Sequence, residues 1–193
     1  MKITIYNIKG GVGKTDIAIN LALLMDFGII TNEPLSPLDR VIDERRIIKL
    51  EYNEPVPADI DDYDIIFDLG GYLDNRAKTI LRKSDRVVVP VVNEYKDVHT
   101  TVNFIQEIEQ YNQKIIIVAN KTQKDDFADI KELMAEHYPN YPVLEIKHSR
   151  ALPNMMTEKK SVKEMREASP LLKHHYKPLE EQFNNLVSAI RKD

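Results

Sequence analysis

Short, wholly apolar runs alternate along this chain with longer segments whose apolar positions recur every three or four residues. A continuous apolar run suits a strand buried on both faces, and the longer repeat suits a helix with one buried face. Strands are predicted on that basis at residues 3–6, 27–31, 65–67, 86–92, 114–119 and 142–146. Helices are predicted over 15–26, 75–83, 97–111 and 127–137. In the first helix Ile17, Leu21, Leu24 and Met25 share a face, and Asp74 offers an N-cap to the second. Residues 36–63 are less regular, with Pro37, Pro55 and Pro57, a possible strand at 46–52 and then an acidic stretch. The last helix is predicted to begin at Pro178, a favoured first-turn residue. Leu179, Phe183, Leu186, Val187 and Ile190 follow at helical spacing, with Glu180 and Glu181 early and Arg191 and Lys192 late, as the helix dipole favours. Apolar strands separated by amphipathic helices predict a single α/β domain over 1–193, with a mostly parallel sheet and helices on both faces.

Composition narrows the classes. At 193 residues, with 42% apolar and 30% charged side chains, the chain can bury a core without a metal or disulfide. It contains no cysteine, which excludes a thiol nucleophile, a disulfide framework and a cysteine-ligated zinc or iron–sulfur centre. No apolar run approaches the ~18 residues of a spanning helix, and the N-terminus lacks a leader pattern, so a cytoplasmic location is expected. His99, His137, His174 and His175 lack metal-ligand spacing with acids, and Met155-Met156 reads as core filling.

The strongest chemical signal follows the first strand: Ile8-Lys9-Gly10-Gly11-Val12-Gly13-Lys14-Thr15. Glycines let a backbone wrap closely around an anion with its N–H groups turned inward. Lys14 supplies a point charge to β- and γ-phosphates, the Thr15 hydroxyl suits Mg2+, and the following helix offers its positive end. Gly10, Gly11, Val12, Gly13, Lys14, Thr15 and the adjoining Asp16 form the predicted phosphate-binding stretch. Asp16 itself is expected to face away from bound phosphate or to offset the helix dipole.

Ile8 stands where the general P-loop has its first glycine, and Lys9 precedes the glycine pair. This form resembles the deviant Walker A motif of the ParA/MinD family of P-loop ATPases. The likeness runs through the second-strand motif, the Walker B strand, an Asn-Lys turn and a Ser-Val-x-Glu segment near the end. It implies ATP and Mg2+ as cofactors and a homodimer formed on ATP binding. It also implies that Lys9 reaches across that dimer to the partner's phosphates, stabilising charge as an arginine finger does; alone, Lys9 is a solvated loop lysine.

Asp68 ends the run Ile65-Ile66-Phe67, where a Walker B aspartate holds Mg2+ through water, and Gly70 and Gly71 could bring backbone N–H groups to the γ-phosphate. The family carries Asp-x-Asp-Pro-Gln after its second strand, the second aspartate orienting the attacking water. Here Thr31-Asn32-Glu33-Pro34-Leu35 keeps the proline and puts the catalytic position on Glu33. One extra methylene shifts that carboxylate by up to ~1 Å, which can cost ~10²-fold in rate, so slow, partner-stimulated hydrolysis is expected. Read by itself, Glu33 is a turn acid before a proline.

Asn120-Lys121-Thr122-Gln123 lacks the aspartate with which GTPases pair guanine, which favours ATP. The resemblance gives Asn120 the adenine edge; otherwise it begins a turn. Between residues 147 and 177 the chain carries eight basic residues against three acids, in a protein of net charge −4. The resemblance makes this segment, with Lys147, Arg150, Lys159, Lys160, Lys163 and Arg166, a contact for duplex DNA without sequence preference; the bland alternative is a solvated helical face. By contrast residues 51–64 hold six acids and no base, a loop able to receive a basic segment of a partner.

Together these readings predict a dimerising ATPase switch that segregates or positions plasmid DNA, nucleoid-associated when ATP is bound, with a separate centromere-binding adaptor protein supplying site recognition. The alternatives are a MinD-like membrane-positioning ATPase and a slow or non-hydrolysing ATP-binding accessory protein of conjugative DNA transfer. Asn184, Asn185 and Ser188, in place of a lysine-rich polar face, argue against the membrane.

Overall fold

A computed structural model describes residues 1–71, 75–168 and 170–192, with side chains except at 95–97 and 171. Among the described residues seven strands form one sheet: β1 (Lys2–Ile5), β2 (Gly28–Thr31), β3 (Ile47–Lys49), β4 (Ile65–Asp68), β5 (Arg86–Val91), β6 (Ile115–Thr122) and β7 (Val143–Lys147). The strand order is β3-β2-β4-β1-β5-β6-β7, and every neighbouring pair is parallel. The helices are α1 (Lys14–Met25), α2 (Asn75–Lys83), α3 (Tyr95–Ile108), α4 (Asp126–His137), α5 (Ala151–Glu158), α6 (Val162–Glu167) and α7 (Pro170–Arg191). Asp74, the expected cap of α2, lies outside the described residues.

Alternation along the strands splits the core into two layers. Ile66, Val88 and Ile116 join the layer shared with α1, α5, α6 and α7. Ile65, Phe67, Val87, Val89 and Ile117 join the layer beneath α2, α3 and α4. Strands buried on both faces read as unbroken apolar runs, which is why their positions were legible. The register also fixes where the loops emerge. Ile5 and Thr31 both pair with Asp68, so the carboxyl ends of β1, β2 and β4 lie side by side. In an open parallel sheet that edge is where ligands bind.

Three expectations are corrected. First, α1 is not amphipathic with a single buried face: none of its residues is exposed, Ile19 and Ala18 are fully buried, and Leu24 is only half-buried. The helix lies between the sheet and the C-terminal helices. Second, α5 and α6 fill a segment for which no helix was predicted. Ser161 starts α6 with a capping box: its hydroxyl accepts from the Glu164 amide (3.1 Å) and its own amide donates to the Glu164 carboxylate (2.8 Å). Third, the last helix begins at Pro170, with Pro178 inside it. Pro178 sits on the exposed flank, where a carbonyl deprived of its helical donor can bond water.

The irregular stretch contains β3 and three short 3₁₀ turns. Its acids meet cations of the same chain: Lys83 contacts Asp61 at 3.3 Å and the N-terminal ammonium pairs with Asp64.

Candidate functional site

Past β1 the chain turns sharply into α1 through residues 9–13. Gly13 has φ +86°, and a Cβ there would sit 2.2 Å from the Asn120 amide nitrogen, so no other residue fits. The loop is held from behind. Asn120, wholly buried on β6, donates to the Val12 carbonyl at 2.7 Å, and Lys121 donates to that of Gly11 at 2.8 Å. The Lys14 ammonium donates to the Lys9 carbonyl at 2.8 Å. Buried Asn7 ties the loop to the sheet and α3, donating to the Pro90 carbonyl (2.8 Å) and Thr101 hydroxyl (2.9 Å) and accepting the Lys9 amide (2.9 Å). With these three carbonyls and the Lys9 amide engaged, the loop's N–H groups beyond Lys9 and the uncapped first turn of α1 are placed to bind an anion.

Opposite the loop, the Thr15 hydroxyl donates to the Asp68 carboxylate at 2.8 Å. Asp68 is 2% exposed, and burial pushes it up to about 7, with nearby Glu33 and Asp16 adding to the rise and the Thr15 bond and Lys14 opposing it. Burial likewise lowers the Lys14 ammonium, against the pull of Asp68 and Glu33, and raises Asp16, against Lys121. Asp16 borders a cleft of about 710 Å3 with Thr15, Asn32, Glu33 and Tyr52.

The loop after β2 is rigidly built. The Thr31 hydroxyl accepts the Glu33 amide (3.1 Å), and the Glu33 carbonyl accepts the Ser36 amide (2.9 Å) across a turn with Pro34 at its second position. Asn32, 1% exposed, accepts the Gly70 amide at 2.6 Å and so joins this loop to the one after β4. A Cβ at Gly71 would meet the Ile8 carbonyl at 2.5 Å, so that third loop lies directly on the glycine loop.

A buried lysine, a hydroxyl paired with a carboxylate and an open glycine loop fit a Mg2+-bound triphosphate. Among the described residues no cluster of three His, Asp or Glu could hold a metal. Mg2+ keeps waters and takes phosphate oxygens beside one or two protein ligands, a set that Thr15 and Asp68 could supply.

The structure thus brings Lys14, Thr15, Asp16, Glu33 and Asp68 together. Lys9 borders a second cleft of about 450 Å3 with Gly10, Gly11, Lys121 and His148. The Asn120 amide nitrogen is committed to the loop, leaving its Oδ1 buried without a partner. Lys147, Arg150, Lys159, Lys160 and Lys163 are exposed in the C-terminal segment. Arg166 instead pairs with Glu180 at 2.6 Å and holds α6 to α7. Sequence reasoning gave no part to Asn7, Asn32 or Lys121. The one signal for the first two was an amide side chain at the end of an apolar strand.

No family model and no curated protein matches the sequence. Solved structures match in fold. A variant of McdA from Cyanothece in complex with ATP superposes with a TM-score of 0.76 at 15% identity, over 100% of this chain and 96% of that one. MinD from Pyrococcus horikoshii complexed with Mg-ADP gives 0.69 at 16% identity, over 99% and 96%. A ParA family ATPase from Chlorobium tepidum gives 0.68 at 14% identity, over 99% of both chains. The chain has the fold of the ParA and MinD ATPases.

Proposed function

We propose that this single-domain chain is an ATP-dependent dimerising switch of the ParA type, which binds duplex DNA without sequence preference and positions or segregates plasmid DNA by hydrolysing ATP. The observation that carries this reading is the convergence of Lys14, Thr15, Asp68 and Glu33 at the carboxyl edge of β1, β2 and β4. The ATP and Mg2+ complexes of proteins with this fold support the choice of cofactors.

In this reading the loop amides and Lys14 bind the phosphates, while Thr15 and Asp68 hold Mg2+. The bound Mg·ATP supplies the reactive phosphoanhydride and a cation that spreads the developing charge. Glu33 orients the attacking water and Lys9 contacts the opposite subunit's phosphates. The exposed cations of the segment 147–177 meet the DNA backbone, and a separate adaptor confers site recognition. Dimerisation places two such patches on one body, so nucleotide state sets DNA affinity through multivalency.

The test combines calorimetry, light scattering and ATP turnover, alone and with nonspecific DNA. Lys14→Ala should lose on the order of a hundredfold in ATP affinity, because charge-assisted bonds to phosphate disappear. Glu33→Gln should keep that affinity and accumulate the ATP-bound dimer. Parental ATP affinity in Lys14→Ala would overturn the nucleotide site, and parental turnover in Glu33→Gln would overturn the role of Glu33.

A further inference from the structure

We propose that Asn32 is a place-holder for the γ-phosphate, a positioning residue that sets how strongly the site distinguishes ATP from ADP. The inference rests on the nucleotide reading above, together with the sequence expectation that the Gly70 amide meets the γ-phosphate. In this structure that amide already has a partner. It donates to Asn32 Oδ1 at 2.6 Å, with Asn32 and Gly70 both buried. A buried amide without an acceptor is costly, so a side chain that satisfies it holds the two loops in a defined arrangement. A γ-phosphate oxygen must therefore replace the Asn32 oxygen rather than find an open donor.

The exchange has a second consequence, because Asn32 lies inside a turn that also carries Glu33. The Thr31 hydroxyl grips the Glu33 amide on one side, and the Glu33 carbonyl holds Ser36 on the other. On the far side of the bond, the Gly71 backbone lies directly on the Ile8 carbonyl, where a Cβ would sit 2.5 Å away. When Asn32 releases Gly70, the change is made within the turn that also carries Glu33. Capture of the terminal phosphate and placement of Glu33 become one event. ADP has no group to make the exchange and leaves the bond in place.

The test is the affinity of the full chain for a non-hydrolysable ATP analogue and for ADP, both with Mg2+, measured by calorimetry. Asn32→Ala should raise analogue affinity about tenfold, the value of one buried hydrogen bond, and leave ADP affinity unchanged. Asn32→Asp keeps an acceptor for Gly70 but adds a charge beside the incoming phosphate. It should weaken the analogue more than ADP, and it serves as the second variant if Asn32→Ala folds poorly. An independent readout is the Gly70 amide resonance, one of only six glycine signals. It should move with the analogue and stay put with ADP in the parental chain, and match neither state in Asn32→Ala. Equal changes for both ligands in both variants would overturn the place-holder and leave the nucleotide site standing. A parental chain that binds neither ligand would instead remove the nucleotide reading itself.

Discussion

Around the glycine loop, order comes from polar side chains bonded to distant backbone: Asn120 to Val12, Lys121 to Gly11, Asn7 to Pro90 and Asn32 to Gly70. In the corner made by α5, α6 and α7 it comes from apolar volume, with Leu152, Met155, Met165, Leu179, Phe183 and Ile190 in one buried layer. The difference is one of tolerance. A hydrogen bond depends on one atom pair and on direction, whereas packing depends on volume and survives many exchanges of similar size. Substitutions at the loops should alter binding and chemistry with modest effects on folding. Those in the corner should do the reverse, except at its exposed cations.

The largest effect that could break this contrast is expected at Phe183, which is fully buried. Phe183→Ala should cost about 3–5 kcal/mol of stability through reduced transfer energy and a cavity. ATP affinity of the folded fraction should stay at the parental value. Denaturant unfolding with a parallel calorimetric titration measures both, and a matching fall in affinity would show that the corner sets the loop geometry directly.

A smaller effect is expected from Asp68 in nucleotide-free protein. Its carboxyl is raised from 3.8 to about 7. The stability it contributes is therefore fully present below its unfolded value and is lost as pH rises through about 7. Between pH 5.5 and 8 the parental chain should lose about 2 kcal/mol relative to Asp68→Asn, which does not titrate. Parallel stability curves for the two proteins would mean that Asp68 is already ionised in the empty site.

The smallest change in stability belongs to the exposed cations. Replacing Lys159, Lys160 and Lys163 together by Glu should shift folding by less than about 1 kcal/mol in sum. The same change should remove ATP-dependent DNA binding and flatten its salt dependence by about 0.9 in log–log slope for each DNA phosphate that is no longer neutralised. A DNA shift that persists in this variant would return the segment to a solvated surface, and liposome binding without any DNA shift would favour a membrane role.

What the sequence disclosed follows the same division. The run Lys9–Gly13 and the acid Asp68 were legible because their chemistry is written in contiguous residues or at the end of an apolar strand. Asn32 and Asn7 were not, since each acts on a partner remote in sequence, Gly70 and Thr101 respectively. In the corner, Ser161 and Glu164 did carry a capping signature, but the basic residues around them masked two short helices. Pro178 misled because a proline that suits a first turn also survives inside a helix where its flank is wet.

The burial of α1 on every side has a mechanical consequence. A helix resting on one support can tilt or slide when its end is pulled. This one is clamped between the sheet below and α5 and α7 above, with Asn20 bonded to the Met155 sulfur at 3.0 Å in the joint. A close-packed interior transmits a load with little compression. Force applied where α1 begins is therefore passed on rather than absorbed by the helix. The C-terminal corner, whose Met155 meets Asn20 of α1, is the abutment against which that load is borne.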